Sequence, residues 1–182
     1  MTRRTAAEND RRLRQLGSDL ALLYPGPAGW WEDADLRRIA GQHGAAANDI
    51  DVVAGVDAAD QLLVNRLKTH QGELASLGHP EYGSRHHELI GQPNTERTRA
   101  LVKLHVLEAM GHEPRVAKIH RCDVTAAHEP PRDVVRISMD VEIVDEPAPR
   151  NLVVPFSLAV GAESNIDTTA LAATAVAVGG RP

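Results

Sequence analysis

The sequence predicts an α+β fold, with several helices packed on a small antiparallel sheet that ends in a C-terminal β-hairpin. Two observations predict it. Apolar residues recur at three- and four-residue spacing as far as Met110, and from Val135 onward they alternate with polar ones. Gly111 and Pro114 stand between the two regimes, where a helix can stop and cannot resume. At 182 residues the chain has the length of one domain. It divides into a helical arm and Pro/Gly/Trp loop over 1–47, a core domain over 48–160 and a tail over 161–182.

From the N-terminus, Leu13, Leu16, Leu20 and Leu23 predict a helix over 5–23. Its early half is basic: five arginines against Glu8 and Asp10 give residues 1–15 a net charge of +3. That makes either a solvated face or an arm for an acidic partner. Two prolines and two glycines within 24–29 break the helix, and Trp30-Trp31 follows as an anchor or interface contact. Residues 31–52 read as loop around a short helix near 35–40.

Asp57 opens the next helix as a cap, with Leu62, Leu63, Val64 and Leu67 as its buried stripe. A Gly/His/Pro loop over 72–83 leads to a short helix over 84–90 that stops at Gly91. Asn94 or Thr95 begins the strongest helix. Leu101, Leu104 and Leu107 form its stripe, widened by Val102, Val106 and Met110.

Residues 115–124 then predict a strand with irregular alternation, and Glu129-Pro130-Pro131-Arg132 a turn. Val135, Ile137, Met139, Val141 and Ile143 alternate with Arg136, Ser138, Asp140 and Glu142, the mark of a strand with one buried face. After a turn over 145–149, Leu152, Val154, Phe156 and Leu158 alternate again, so the last two strands form a hairpin. Pro155 cannot donate to a ladder and places its strand at a sheet edge.

Composition excludes more than it assigns. Two Trp, two Tyr and one Phe leave few platforms for sugars, single-stranded nucleic acid or flat cofactors. A net charge of −5 and a pI near 6.0 argue against nucleic acid as a partner. One cysteine, Cys122, excludes an internal disulfide and suits a reducing compartment. No apolar leader follows Met1, and the weakly polar run 170–178 is far short of the roughly 20 residues of a membrane span. The expectation is a cytoplasmic protein without membrane insertion.

Nine histidines invite a metal. His86 and His87 are adjacent and should diverge on a helix, His105 and His112 lie about two turns apart, and His120, Cys122, Asp123 and His128 make only an irregular cluster. With no HExxH motif and no paired CxxC motif, neither metal nor cofactor is expected. Glu73 and Glu81 around Tyr82 would supply a hydrolase pair, but no sugar platform accompanies them. Glu113-Pro114-Arg115 is more informative. Pro114 extends the residue before it, so an acid and a base project together from a rigid helix–strand corner, where they either remain solvated or dock on opposite charges.

That Glu-Pro-Arg corner, between a long helix and an alternating strand, resembles the signature of the baseplate wedge family of contractile tails, a lysozyme-like family that includes the type VI secretion baseplate component. Leu16-Gly17-Ser18-Asp19-Leu20 resembles the family's opening motif. Asp49-Ile50, Val53-Ala54-Gly55-Val56, Gln61 and Arg66-Leu67-Lys68-Thr69 resemble its first core helix and approach, and Gly72-Glu73-Leu74 with Tyr82-Gly83 resembles the following loop. The likeness runs in order from Leu16 to Leu158.

The resemblance implies structural work without catalysis. Glu113, Pro114 and Arg115 would dock on the bundle of neighbouring wedge subunits. The hairpin, with Val135, Ile137, Leu152, Val154 and Phe156 facing the sheath, would nucleate the first sheath ring. Wedge subunits and the sheath subunit are the implied partners, with hub or spike proteins beyond them. The chain would be present in six copies in the baseplate of a phage tail, phage-tail-like particle or type VI system. A regulatory protein-binding adaptor on the same fold, and less readily a peptidoglycan hydrolase, are the alternatives.

Overall fold

The computed structural model describes residues 10–11, 14–23, 35–40, 48–127, 133–146 and 148–159. Its main sheet has three antiparallel strands, β7 (Val116–Ala126), β8 (Val134–Ile143) and β9 (Arg150–Ser157), with β8 in the centre. The predicted alternation is realised on β8. Val135, Ile137, Met139, Val141 and Ile143 are buried on one face, while Arg136, Ser138, Asp140 and Glu142 lie half-exposed on the other. Register follows: Ile137 faces Val154, Val135 faces Phe156 and Met139 faces both Leu152 and Cys122. The irregular alternation of β7 corresponds to shifts of register between Val116 and Lys118 and between Ile119 and Arg121.

β9 is an edge strand, as Pro155 requires. Leu158 N–H donates to Asp133 O, so at a period of two the N–H groups of Phe156, Val154 and Leu152 also point at β8. Pro155, opposite Arg136, falls in a non-hydrogen-bonded pair, and its missing N–H belongs to the outer row.

Two helices cover the apolar face, α1 (Val56–Lys68) and α2 (Glu96–Gly111). Leu63 and Leu67 of α1 and Val102, Val106, Ala109 and Met110 of α2 share one core cluster with the strands. Thr95 caps α2, its hydroxyl accepting from Thr98 N–H at 3.2 Å. On α1 the expected cap at Asp57 is displaced. Gly55, at φ 65°, is the N-cap, and Asp57 stands in the first turn. The predicted stripe of α2 is also rotated. Leu104 is 49 % exposed and Leu101 36 %, because the smaller β-branched Val102 and Val106 sit against the sheet instead. Arg150 Nε donates to Asp60 Oδ2 at 3.0 Å and ties the start of β9 to α1.

The N-terminal region corrects the expectation most. Helical backbone ends at Leu16, and Gly17 at φ 79° turns the chain into β1 (Ser18–Leu20) and β2 (Leu22–Leu23). The short helix expected near 35–40 is instead β3 (Asp35–Leu36) and β4 (Arg38–Ala40), followed by β5 (Asn48–Ile50) and β6 (Val52–Ala54). These form three two-stranded ribbons, β1–β6, β2–β3 and β4–β5. The ribbons meet at a closed ring of backbone hydrogen bonds. Ala21 N–H donates to Asp51 O, Asp51 N–H to Arg37 O, and Arg37 N–H to Ala21 O, at 2.8–2.9 Å. Non-local pairing at this ring overrides helical periodicity, which is a weak prior. Trp30-Trp31, the turn at 129–132 and the tail lie outside the described residues.

Candidate functional site

α2 ends at Gly111, and the chain must turn before β7 begins at Val116. Pro114 fixes that corner. Met110 O accepts from Glu113 N–H at 3.1 Å, and Glu113 O accepts from Val116 N–H at 3.0 Å. The consequence for the two charges is unequal. Pro114 is exposed and the Arg115 side chain is 34 % exposed, whereas Glu113 is only 6 % exposed. The expected paired presentation is therefore half right. The base reaches solvent and the acid turns inward.

Glu113 is met there by Arg66 from α1, itself 7 % exposed, whose guanidinium donates to Oε2 at 3.0 Å. The other oxygen, Oε1, accepts from Arg115 N–H at 3.3 Å and lies 4.0 Å from Arg115 Nε. Arg66 also stacks over the Tyr82 ring, 4.6 Å from its centroid, and burial pushes the Tyr82 phenol up from its ordinary value. Arg66 Nε has no partner among the described residues.

Gly83 makes this approach feasible. Its φ is +100°, and a Cβ there would lie 2.5 Å from Thr69 O and 2.7 Å from His70. The chain comes that close because Ser84 N–H donates to Thr69 O and Gln71 N–H to Ser84 O. Gln61, one turn earlier on α1 and 8 % exposed, fastens the N-terminal ribbon. Its carbonyl oxygen accepts from Leu22 N–H at 2.9 Å, and its amide donates to Leu20 O at 2.9 Å and to Asp19 at 3.4 Å.

Residues far apart in sequence thus converge: Arg66, Tyr82, Gly83, Glu113 and Arg115 form one cluster, with Gln61 beside it on the same helix. The partnership of Arg66 with Glu113 was not read from the sequence, although two misfits signal it. Arg66 lies three residues from Leu63, on the buried stripe of its helix. Glu113 lies at a helix C-terminus, where a carboxylate is disfavoured. A buried cation and a misplaced anion satisfy each other.

The hairpin residues are placed differently from the expectation. Val135 and Ile137 are 0 % exposed, Leu152 8 %, and Val154 and Phe156 3 % each, so these side chains face the helices and not a partner. Inward is the one face on which the strands find an apolar layer. What the hairpin offers outward is the backbone of β9 and its polar face, including Arg136, Asp140 and Asn151. Asn151 Nδ2 donates to Asp140 Oδ1 at 2.7 Å. The basic arm is partly satisfied within the chain, with Arg11 at 3.3 Å from Asp145 and Arg14 at 2.7 Å from Asp10.

For the other candidates, Glu73 is exposed and accepts from His70 N–H at 3.2 Å, while Glu81 is exposed. His86 and His87 do not diverge. Their ring centroids lie 4.2 Å apart, and both rings pack edge-on against Phe156. Among the described residues no group of three or more His, Cys, Asp or Glu could hold a metal ion, and no helix is long and apolar enough to cross a membrane. His128 lies outside the described residues.

No protein-family profile matches the chain, and no curated protein does. Among solved structures, the chain is similar to a crystal structure from Geobacter sulfurreducens that is provisionally named a tail lysozyme. The identity is 23 % and the TM-score 0.48, over 57 % of this chain and 90 % of that one. A likeness of that size carries no inference about activity or partners.

Proposed function

We propose that the chain is a structural baseplate component of a contractile injection machine, linking wedge subunits to the first sheath ring. One observation carries the reading. Five of the residues that carry the family resemblance, Arg66, Tyr82, Gly83, Glu113 and Arg115, gather around a single corner, joined by the buried Arg66–Glu113 pair. Such convergence is expected of a motif set with one shared task.

The three corner residues then have separate roles. Glu113 is a positioning residue that holds the Arg115 backbone. Pro114 makes the turn rigid. Arg115 is the contact, a half-exposed cation offered to the wedge bundle. The outer edge of β9 takes the second task, sheath nucleation, by accepting a partner strand through backbone hydrogen bonds. The buried hairpin side chains support that edge from beneath.

Reconstitution with wedge subunits from the same gene cluster tests the docking role. Arg115→Glu should abolish co-purification while the monomer keeps its thermal transition. Normal assembly by that variant would overturn the docking role. Release of labelled fragments from peptidoglycan by the purified protein, lost in Glu73→Ala, would favour the hydrolase alternative.

A further inference from the structure

A cluster of imidazoles outside the corner has no part in the proposed docking. The 3-10 turn Arg85–Leu89 lies over the β9 end of the sheet, where His86 and His87 pack against Phe156. His70 stacks on His87 at 4.0 Å between ring centroids. His86 is 0 % exposed.

The hydrogen bonds fix the tautomer of His87. His87 Nε2 lies 2.7 Å from Leu67 O, so it carries the proton and donates. Ser84 Oγ donates to His105 O at 3.3 Å. His86 Nδ1 lies 2.7 Å from the same hydroxyl oxygen, and either atom can be the donor. His86 Nε2, the other ring nitrogen, has no partner among the described residues. In the cation both ring nitrogens carry protons, so protonation of His86 would bury a charge and leave Nε2–H without an acceptor. A proton added to His87 would bury a second charge 4.2 Å from the first.

We propose that His86 and His87, with His70 stacked on His87, form an acid-sensitive latch, which holds residues 84–91 closed over Phe156 when His86 and His87 are neutral and opens that segment when they are protonated. The charged and titratable groups facing the cluster do not rescue the cation. The loop contributes His70 and Glu73, α2 contributes His105, and α1 and β9 contribute the neutral Leu67 carbonyl and Phe156. Glu73, the one anion, is exposed, and His105 is engaged with Glu108 at 3.1 Å. Burial accordingly holds the His86 imidazole well below its ordinary value and His87 down to about 4.

The sign is fixed by linkage. The open segment takes up protons near the ordinary value of 6.5, and the closed one only near 4 for His87, so closure is fully favoured above 6.5 and weakens as pH falls. Between pH 6.5 and 5, His87 alone should raise the open population about 15-fold.

Native-state hydrogen exchange on the whole chain, expressed as protection relative to intrinsic rates, tests the latch. Protection of Ser84, Ile90 and Gly91 N–H, which bond to Thr69, His87 and Leu158 carbonyls, should fall at least tenfold from pH 7 to pH 5. Val106 and Met110 in α2 should be unchanged. In His87→Gln the fall should shrink. If that variant does not fold, the imidazole titration of the wild-type protein by NMR decides. Protection that is flat with pH, a loss shared equally by α2, or His86 and His87 titrating near 6.5 would each overturn the proposal.

Discussion

The guanidinium of Arg66 donates to Glu113 at 3.0 Å, joining residues 47 positions apart in a site where both side chains are more than nine-tenths buried. The pair couples the middle of α1 to the corner after α2. It also places the carboxylate where its second oxygen accepts from Arg115 N–H. A buried ion pair is weak evidence for stability, because desolvation offsets most of the attraction. Its effect here is geometric. It sets the orientation from which Arg115 leaves the surface.

Removing one partner should be severe and removing both mild. Arg66→Met or Glu113→Gln leaves an unmatched buried group and should cost about 3–5 kcal/mol in urea unfolding. The double variant Arg66→Met with Glu113→Leu should recover most of that loss, since apolar replacements of buried pairs are often neutral. It should still dock poorly on wedge subunits, because Arg115 has lost its backbone anchor. A double variant that is less stable than both singles would contradict this account.

The same residues show what the sequence could reveal. The alternation of Val135 to Ile143 and the proline at 155 were sufficient for a hairpin with an edge strand, because a period of two has one interpretation once one face is buried. The stripe of α2 was ambiguous because Leu101, Val102, Leu104, Val106 and Leu107 surround most of a helix. Packing chose the β-branched side and left Leu104 half in solvent. The N-terminal ribbons were not legible. Strands of two or three residues carry no measurable period, and the ring through Ala21, Arg37 and Asp51 depends on residues up to thirty positions apart. The corner was visible as a motif, but the inward turn of Glu113 was not, since it needed a partner from another helix.

Gln61 should behave as a backbone surrogate. Its amide bonds Leu20 O and Leu22 N–H on either side of fully buried Ala21, as a neighbouring strand would. Gln61→Ala should cost about 1–3 kcal/mol through the polar groups it leaves unpaired. Hydrogen exchange should locate the loss, with Leu22 N–H losing protection while Met139 and Val141 in β8 keep theirs. Equal loss in both places would make Gln61 an ordinary packing residue.

Two glycines with positive φ separate strain from close approach. Gly78 is at φ 88° with nothing within 4 Å of an added Cβ, so Gly78→Ala should cost only about 1 kcal/mol. Gly83 has the same kind of φ, but its added Cβ would overlap the Thr69 and His70 backbone at 2.5–2.7 Å. Gly83→Ala should add about 1–3 kcal/mol for displacing that backbone. It should also perturb Tyr82, readable in the tyrosine fluorescence. Equal melting temperatures for the two variants would refute the close approach.

Proline substitutions on β9 distinguish its two rows of backbone groups. Val153, like Pro155, lies on the outer row by the parity that Leu158 N–H sets. Val153→Pro should therefore leave the hairpin paired and the thermal transition within a few degrees, about 1 kcal/mol or less for a strand-edge position. Val154→Pro removes an N–H aimed at Ile137 and should cost about 3 kcal/mol or more. If β9 accepts a sheath strand, Val153→Pro should also stop sheath polymerisation on reconstituted particles while the protein stays in the baseplate. The partner loses an N–H donor in the middle of the edge, beside the gap already left by Pro155, and two adjacent gaps leave too short a ladder for augmentation. Sheaths of normal length on particles carrying stable, incorporated Val153→Pro would show that the edge of β9 is not where the sheath begins.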